Sequence, residues 1–129
     1  MTIKLIKFIL LLKNSIYKLK SFITIPYHFF LIKFVEFFYK EGLIQFFSVK
    51  KDTNQIISIK VFLRYFKTFC VFSNLKVVSK KKMAIHIKYI DICKVFEKNS
   101  IFIISTNFGL YTLFDCKKYK VGGKILFKF

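Results

Sequence analysis

Four residues suited to polar contact stand together in the stretch IFIISTNFGLYT: Ser105, Thr106, Asn107 and Gly109. Around them the chain is mostly Lys, Ile and Phe. Each hydroxyl offers one donor and acceptor lone pairs, and the amide offers both kinds of group. Small side chains let a backbone approach a ligand closely, and glycine permits a sharp turn. A buried strand needs none of these residues, and a tight turn needs one or two. Two readings follow from the residues alone. The cluster caps the junction between a strand and a helix, since Ser, Thr and Asn are good caps, or it touches a polar partner.

The charge narrows the partner. The chain has 129 residues, with 24 Lys and Arg against 6 Asp and Glu, a formal net charge of +18. Arg64 is the only arginine. A chain this basic repels itself and is best neutralised by a polyanion, either nucleic acid or an anionic membrane surface. Hydrophobic residues make up 55%, too many for a disordered tail. Lys, Ile, Phe, Asn and Tyr share A- and T-rich codons, while Ala (Ala84 alone), Gly, Pro and Arg are rare. This bias points to an AT-rich genome such as that of an organelle.

Other chemistries find little support. The acids Glu36, Glu41, Asp52, Asp91, Glu97 and Asp115 are scattered, with no paired carboxylates, phosphate-cradling glycine loop or nucleophile–base pattern, so an enzyme is not expected. Cys70, Cys93 and Cys116 form no CxxC pair, and His28 and His86 lie at no metal-ligand spacing from them. No metal or cofactor is expected, and the cysteines read as free thiols in a reducing compartment. The N-terminal run MTIKLIKFILLLK is interrupted by Lys4, Lys7 and Lys13. The uncharged runs Ser21 to Ile32 and Asn99 to Phe114 fall short of the roughly 20 apolar residues a membrane span needs. Neither a signal-peptide cleavage site nor an Arg- and Ser-rich transit peptide is recognisable.

The elements that must position the cluster follow from periodicity. Residues 3–20 read as a helix with Ile6, Ile9, Leu10, Leu12 and Ile16 broadly on one side. SFITIP is a short strand that Pro26 ends. YHFFLIKFVEFFYKEG is a second helix, with Lys33, Glu36 and Lys40 on the wet face, apolar Phe30, Phe34, Phe37 and Phe38, and Gly42 as terminator. LIQFFSVK and QIISIKVFL are strands around the turn signal KDTN. CVFSNLKVVS and MAIHIKY read as strands around the charged loop Lys80 to Lys82. YIDICKVFEK fits either a helix or a loop. IFIIST is a strand, YTLFDCKKYK a short helix, and GGKILFKF a final strand. The expected fold is α+β in two small lobes: residues 1–65 as α-β-α-β-β, and residues 66–129 as mostly antiparallel β with a short helix.

That order, with several motifs, resembles the small-subunit ribosomal protein S-eight family. IISTNFGL, a short helix and KVGGKILFKF resemble the family's C-terminal I-S-T-x-x-G-hydrophobic, helix and G-V-G-G-E-hydrophobic. VVSKKKMAIHI resembles its V-S-(K/R)-P-G-L-R-(I/V)-Y, YKEGLIQFF its K-x-E-G-(Y/F)-I, and LLKNS its I-R-N-(A/G). Pro26 falls on the family's proline before the second helix. There are departures. Lys81 and Lys82 stand for Pro-Gly, Lys13 and Lys80 for Arg, His86 for an aromatic Tyr, and Lys120 and Lys124 for Gly and Glu. Lysine lacks arginine's flat bidentate grip on phosphate. The run Glu97 to Ser100 lacks the family's glycines.

The resemblance implies a structural constituent of an organellar small ribosomal subunit, in the mitochondrial matrix or alternatively a relict plastid. It would bind the small-subunit rRNA at a central-domain stem with an irregular core. Its neighbours would be ribosomal proteins of the S-five and S-twelve types, with neither a membrane nor a second copy of itself as partner. Proteins read such stems through the minor groove, the 2′-hydroxyls and distorted bases. The implied contacts are Ser105, Thr106, Asn107 and Gly109, with Gly122, Gly123 and Lys124 presenting backbone near the RNA. Lys13, Asn14, Lys80, Lys81 and Lys82 would supply phosphate contacts, and His86 would stack on a nucleotide. Each has a plainer alternative: a helix end for Lys13 and Asn14, a solvated loop for the three lysines, a half-buried strand residue for His86. The rival function is a basic peripheral membrane or membrane-complex subunit of an organelle, which explains the charge but not IST…GG.

Overall fold

The computed structural model describes residues 3–67, 69–79, 83–94 and 100–129. The chain falls into two compact units, one running through Ser73 and the other from Asn74.

The first unit begins with helix α1 (Ile3–Tyr17), strand β1 (Phe22–Pro26), helix α2 (Phe29–Lys40) and strands β2 (Ile44–Asp52) and β3 (Gln55–Leu63). The strands form an antiparallel sheet in the order β1-β3-β2. Helix α1 buries Leu5, Phe8, Ile9 and Leu12, the i, i+3, i+4, i+7 stripe of one helical face. Leu10, expected on that side, is exposed, because it lies off this stripe. Helix α2 buries Leu31, Phe34, Val35, Phe37 and Phe38 and leaves Lys33, Glu36 and Lys40 outside. His28 caps it: its Nδ1 accepts from the Phe30 N–H at 3.3 Å. Gly42 ends it with φ +69°, a conformation that suits a residue without Cβ. The hairpin between β2 and β3 turns through Thr53 and Asn54, both at positive φ, as a two-residue turn matched to strand twist requires. Ile23, Ile25, Ile59, Val61 and Leu63 line the buried face of the sheet.

A short hairpin follows, β4 (Tyr65–Phe66) with β5 (Phe69–Cys70), and then a 3-10 turn at Val71–Asn74. This corrects the expected continuous strand CVFSNLKVVS. Phe72 is fully buried, with its ring 5.1 Å from that of Phe38. Burying a whole phenylalanine outweighs the modest β-preference of its neighbours.

The second unit is a sheet in the order β6-β10-β8-β9, with β7 also on β10. Its strands are β6 (Lys76–Val77), β7 (His86–Ile87), β8 (Phe102–Thr106), β9 (Gly109–Thr112) and β10 (Gly123–Lys128). Its helices are α3 (Tyr89–Lys94) and α4 (Leu113–Tyr119). One face of this sheet closes on the helices through Ile92, Ile104, Cys116 and Ile125. The structure settles the open reading of YIDICKVFEK as a helix over its first six residues, with residues 95–99 outside the described ones. The expected helix YTLFDCKKYK starts later than its sequence suggests, because Tyr111 and Thr112 extend β9 first. The mixture of helices and antiparallel strands is α+β.

Cys70 and Cys116 are buried and Cys93 is exposed. Burial, with the charge of Asp115 adding to it, pushes the Cys116 thiol up to about 11. Burial raises Cys70 as well. Because the folded value of Cys116 lies above its ordinary 9.0, the neutral thiol favours the fold below that pH, and the benefit is lost as pH rises through about 11. A disulfide reagent at about pH 8 is expected to titrate Cys93 quickly and the other two thiols only on unfolding. Three thiols reacting together in the folded chain would contradict this packing.

Candidate nucleic-acid interface

The four clustered residues form the tip of a hairpin, not a helix cap. Thr106 pairs with Gly109, so Asn107 and Phe108 are the two-residue loop between β8 and β9. The Thr106 hydroxyl builds this turn. It donates to the Gly109 carbonyl at 3.0 Å and accepts from the Phe108 N–H at 3.2 Å. Gly109 takes φ +134°, where a side chain is strained, and has open space around it. The helix cap lies further on, at Thr112. Its Oγ1 accepts from the Asp115 N–H at 3.2 Å, and the Asp115 carboxylate accepts from the Thr112 N–H at 3.3 Å.

The sheet register then brings three of the candidates, Ser105, Lys124 and His86, into line. Lys124 on β10 stands opposite Ser105 on β8 and opposite His86 on β7. Ser105 in turn pairs with Leu110 on β9. Directly paired residues of antiparallel strands share a face, so His86, Lys124, Ser105 and Leu110 form one row across four strands. His86 is exposed and the other three are half-buried. Ile103 and Phe127, paired further along the same face, are fully buried. The face is therefore sealed at one end and open at the hairpin end. Asn107 and Phe108 project there, with Phe108 exposed over 75% of its surface.

Gly122 and Gly123 make the row possible. A Cβ on Gly123 would sit 2.4 Å from the Ser105 carbonyl oxygen and 2.9 Å from Ile104 Cγ2. A Cβ on Gly122 would sit 2.6 Å from the Ile87 carbonyl oxygen. Both glycines thus admit backbone to backbone inside the unit. Their close approach sets the spacing of β7, β10 and β8.

Lys13 and Asn14 lie on the exposed side of α1, in the other unit. Lys80, Lys81 and Lys82 lie outside the described residues. The segment on either side of them is pinned to β10. The Ser79 hydroxyl donates to the Ile125 carbonyl and accepts from the Ile85 N–H at 3.1 Å. The Ile125 N–H donates to the Ile85 carbonyl at 2.9 Å. Ser79 is fully buried. These bonds are not legible in the sequence, where Ser79 reads only as the last residue of the expected strand CVFSNLKVVS. Phe108 carries no signal in the sequence either, being one phenylalanine among 19. Among the described residues no group of His, Cys, Asp and Glu could hold a metal ion, and no helix is long and apolar enough to cross a membrane.

The family model described as ribosomal protein S8 matches residues 4–129. The chain belongs to the ribosomal protein S8 family. Among its relatives, the small ribosomal subunit protein uS8 of Wolbachia sp. subsp. Brugia malayi is 40% identical over 77 residues, 60% of this chain and 59% of that protein. The uS8 protein of Streptococcus agalactiae serotype Ia is 36% identical over 88 residues, 67% of this chain and 66% of that protein. The match thus spans about three-fifths of the length of the Wolbachia relative. In this S8-family chain, the IST and GG motifs meet at one place: Ser105 is the residue whose carbonyl Gly123 approaches.

Replacing Gly123 by alanine is expected to part β8 from β10 and to destabilise the chain by about 1–3 kcal/mol, as overpacking does. Chemical denaturation of both forms measures it. Unchanged stability would show that the two strands do not need this contact.

Proposed function

We propose that this chain is a structural constituent of a small ribosomal subunit that binds small-subunit rRNA directly. The observation that carries the reading is the open row Ser105, Lys124 and His86 beside the Asn107–Phe108 tip, in a chain of the S8 family with net charge +18. A hydroxyl, an ammonium and an imidazole in one row suit a shallow minor groove, its 2′-hydroxyls and its phosphates. The half-buried Ser105 reaches a partner only at close range, which favours an irregular stem that fits the face. The proposed target is such a stem in the central domain. The C-terminal lobe reads it, while Lys13, Asn14 and the run Lys80 to Lys82 supply phosphate contacts without sequence preference. Gly122 and Gly123 serve by holding the row in place, and Gly109 by turning its tip. Clamping the stem would stabilise its folded core and let later proteins, of the S-five and S-twelve types, join. The work is structural and needs no catalytic group.

We place this subunit in an organelle, the mitochondrion first and a relict plastid second. The support is compositional: one arginine, one alanine and a surplus of residues with AT-rich codons. The location of the gene decides it.

The test compares two RNAs of equal length at near-physiological salt, the native central-domain stem and the same stem made into a perfect duplex. Because the Thr106 hydroxyl is engaged in its own turn, the informative variant is Ser105→Ala. The chain is expected to prefer the native stem. The variant should weaken that binding about fivefold, the loss of one hydrogen bond worth about 1 kcal/mol. Equal binding to both RNAs, unchanged in Ser105→Ala, would mean that charge alone binds.

A further inference from the structure

The outward face of the first unit's sheet carries a second arrangement that the S8 row does not use. Three rows cross it, read from the register: Phe46, Phe62 and Phe22; then Ser48, Lys60 and Thr24; then Lys50, Ser58 and Pro26. None of these residues is acidic. A solvated sheet face ordinarily carries polar residues, so a full row of phenylalanines there calls for a partner. Phe22 and Phe46 are exposed over 41% and 43% of their surfaces. The Phe46 and Phe62 rings stack with centroids 4.0 Å apart and planes 14° apart. Phe22 follows 5.7 Å beyond Phe62. The Lys60 ammonium lies over both neighbouring rings, 3.8 Å from the Phe22 centroid and 5.0 Å from that of Phe62.

A groove walled by lysines and by the apolar Leu10, Leu11 and Ile23 adjoins this face. It runs between α1 and the edge of β1, has a volume of about 620 Å³, and is lined in part by Lys7, Asn14, Lys18, Lys20, Phe22 and Thr24. Phe22 and Thr24 belong to both surfaces. Flat rings beside a positively charged track are what a single-stranded nucleic acid needs: bases stack on the rings while phosphates follow the lysines.

We propose that this face is a second nucleic-acid site, which takes unpaired nucleotides rather than a helix. Bases stack on Phe22 and Phe46, the edge rings of the row. Lys60 moves from the ring face to a phosphate or stays as a cation above the stack. The adjoining groove holds the backbone of the strand through Lys7, Lys18 and Lys20. Residues of β1 and β2 carry the stacking, so the site is independent of the Ser105 row.

The experiment measures binding of an unstructured oligouridine of about 10 nucleotides to the chain by fluorescence anisotropy. It compares the parent chain, the double variant Phe22→Leu, Phe46→Leu, the variant Lys60→Gln, and Ser105→Ala. Leucine keeps the face apolar without a ring, and thermal melting confirms that each variant folds. The double variant is expected to bind oligouridine at least about tenfold more weakly while its binding to the native stem is retained. Lys60→Gln should weaken oligouridine binding less, and Ser105→Ala should leave it unchanged. Equal oligouridine binding by the parent and the double variant would overturn the proposal, as would a loss in Ser105→Ala as large as in the double variant. Failure of the chain to prefer the native stem would remove the reading of the Ser105 row and leave this site standing.

Discussion

The backbone of Gly123 runs so close to Ser105 that no side chain fits between them. The second unit depends on this approach. β10 is the strand that pairs with β6, β7 and β8, and its first residues must slip between β7 and β8 before the chain widens to Ile125 and Phe127. Gly122 solves the same problem on the side of β7, against the Ile87 carbonyl. From these two contacts the rest follows. Ile125 reaches Ile92, Ile104 and Cys116 on the core face, and Lys124 comes into line with Ser105 and His86 on the other. A single pair of glycines therefore ties the packing of the unit to the geometry of its open end.

The same economy governs the polar groups around it. Thr112 ends β9 and caps α4 in one residue, so the turn from sheet to helix needs no linker. Ser79 satisfies two backbone groups at once, donating to Ile125 and accepting from Ile85. Among the described residues no buried side-chain polar atom lacks a partner. An unpaired buried group would cost about 1–3 kcal/mol, a large share of the stability of a small domain. None of the described lysines is buried, so they can serve an anionic partner without burdening the core.

How much of this the sequence revealed depends on whether local pattern or distant contact decided each element. Helix α2, the β2–β3 hairpin and the last strand could be read directly, because their periodicity and their turn residues agree. The stripe of α1 was misplaced around Leu10, since a helix of Ile, Leu and Phe offers several apolar faces and only packing chooses among them. The turn at Val71–Asn74 was hidden because it exists to bury Phe72 beside Phe38, a partner more than thirty residues away. The site shows the same divide. IST and GG stood out as motifs, but their juxtaposition needed the sheet register. The hydroxyl of Thr106, expected to contact a ligand, also builds its own turn with Gly109 and Phe108, which no local pattern announces. The two hydrogen bonds of Ser79 and the row Phe46, Phe62, Phe22 are not legible in the sequence, because phenylalanine and serine in this composition carry little signal until their neighbours are known.

The most direct measurement is the amide NMR spectrum of the isotope-labelled chain, titrated with the native central-domain stem at near-physiological salt. If the open row reads the stem, the shifts concentrate at Ser105, Asn107, Lys124 and His86, and the amides of Ile104 and Ile125 on the opposite face move less. Shifts spread evenly over exposed lysines, with Ser105 and Lys124 unmoved, would contradict the account and leave binding to charge alone.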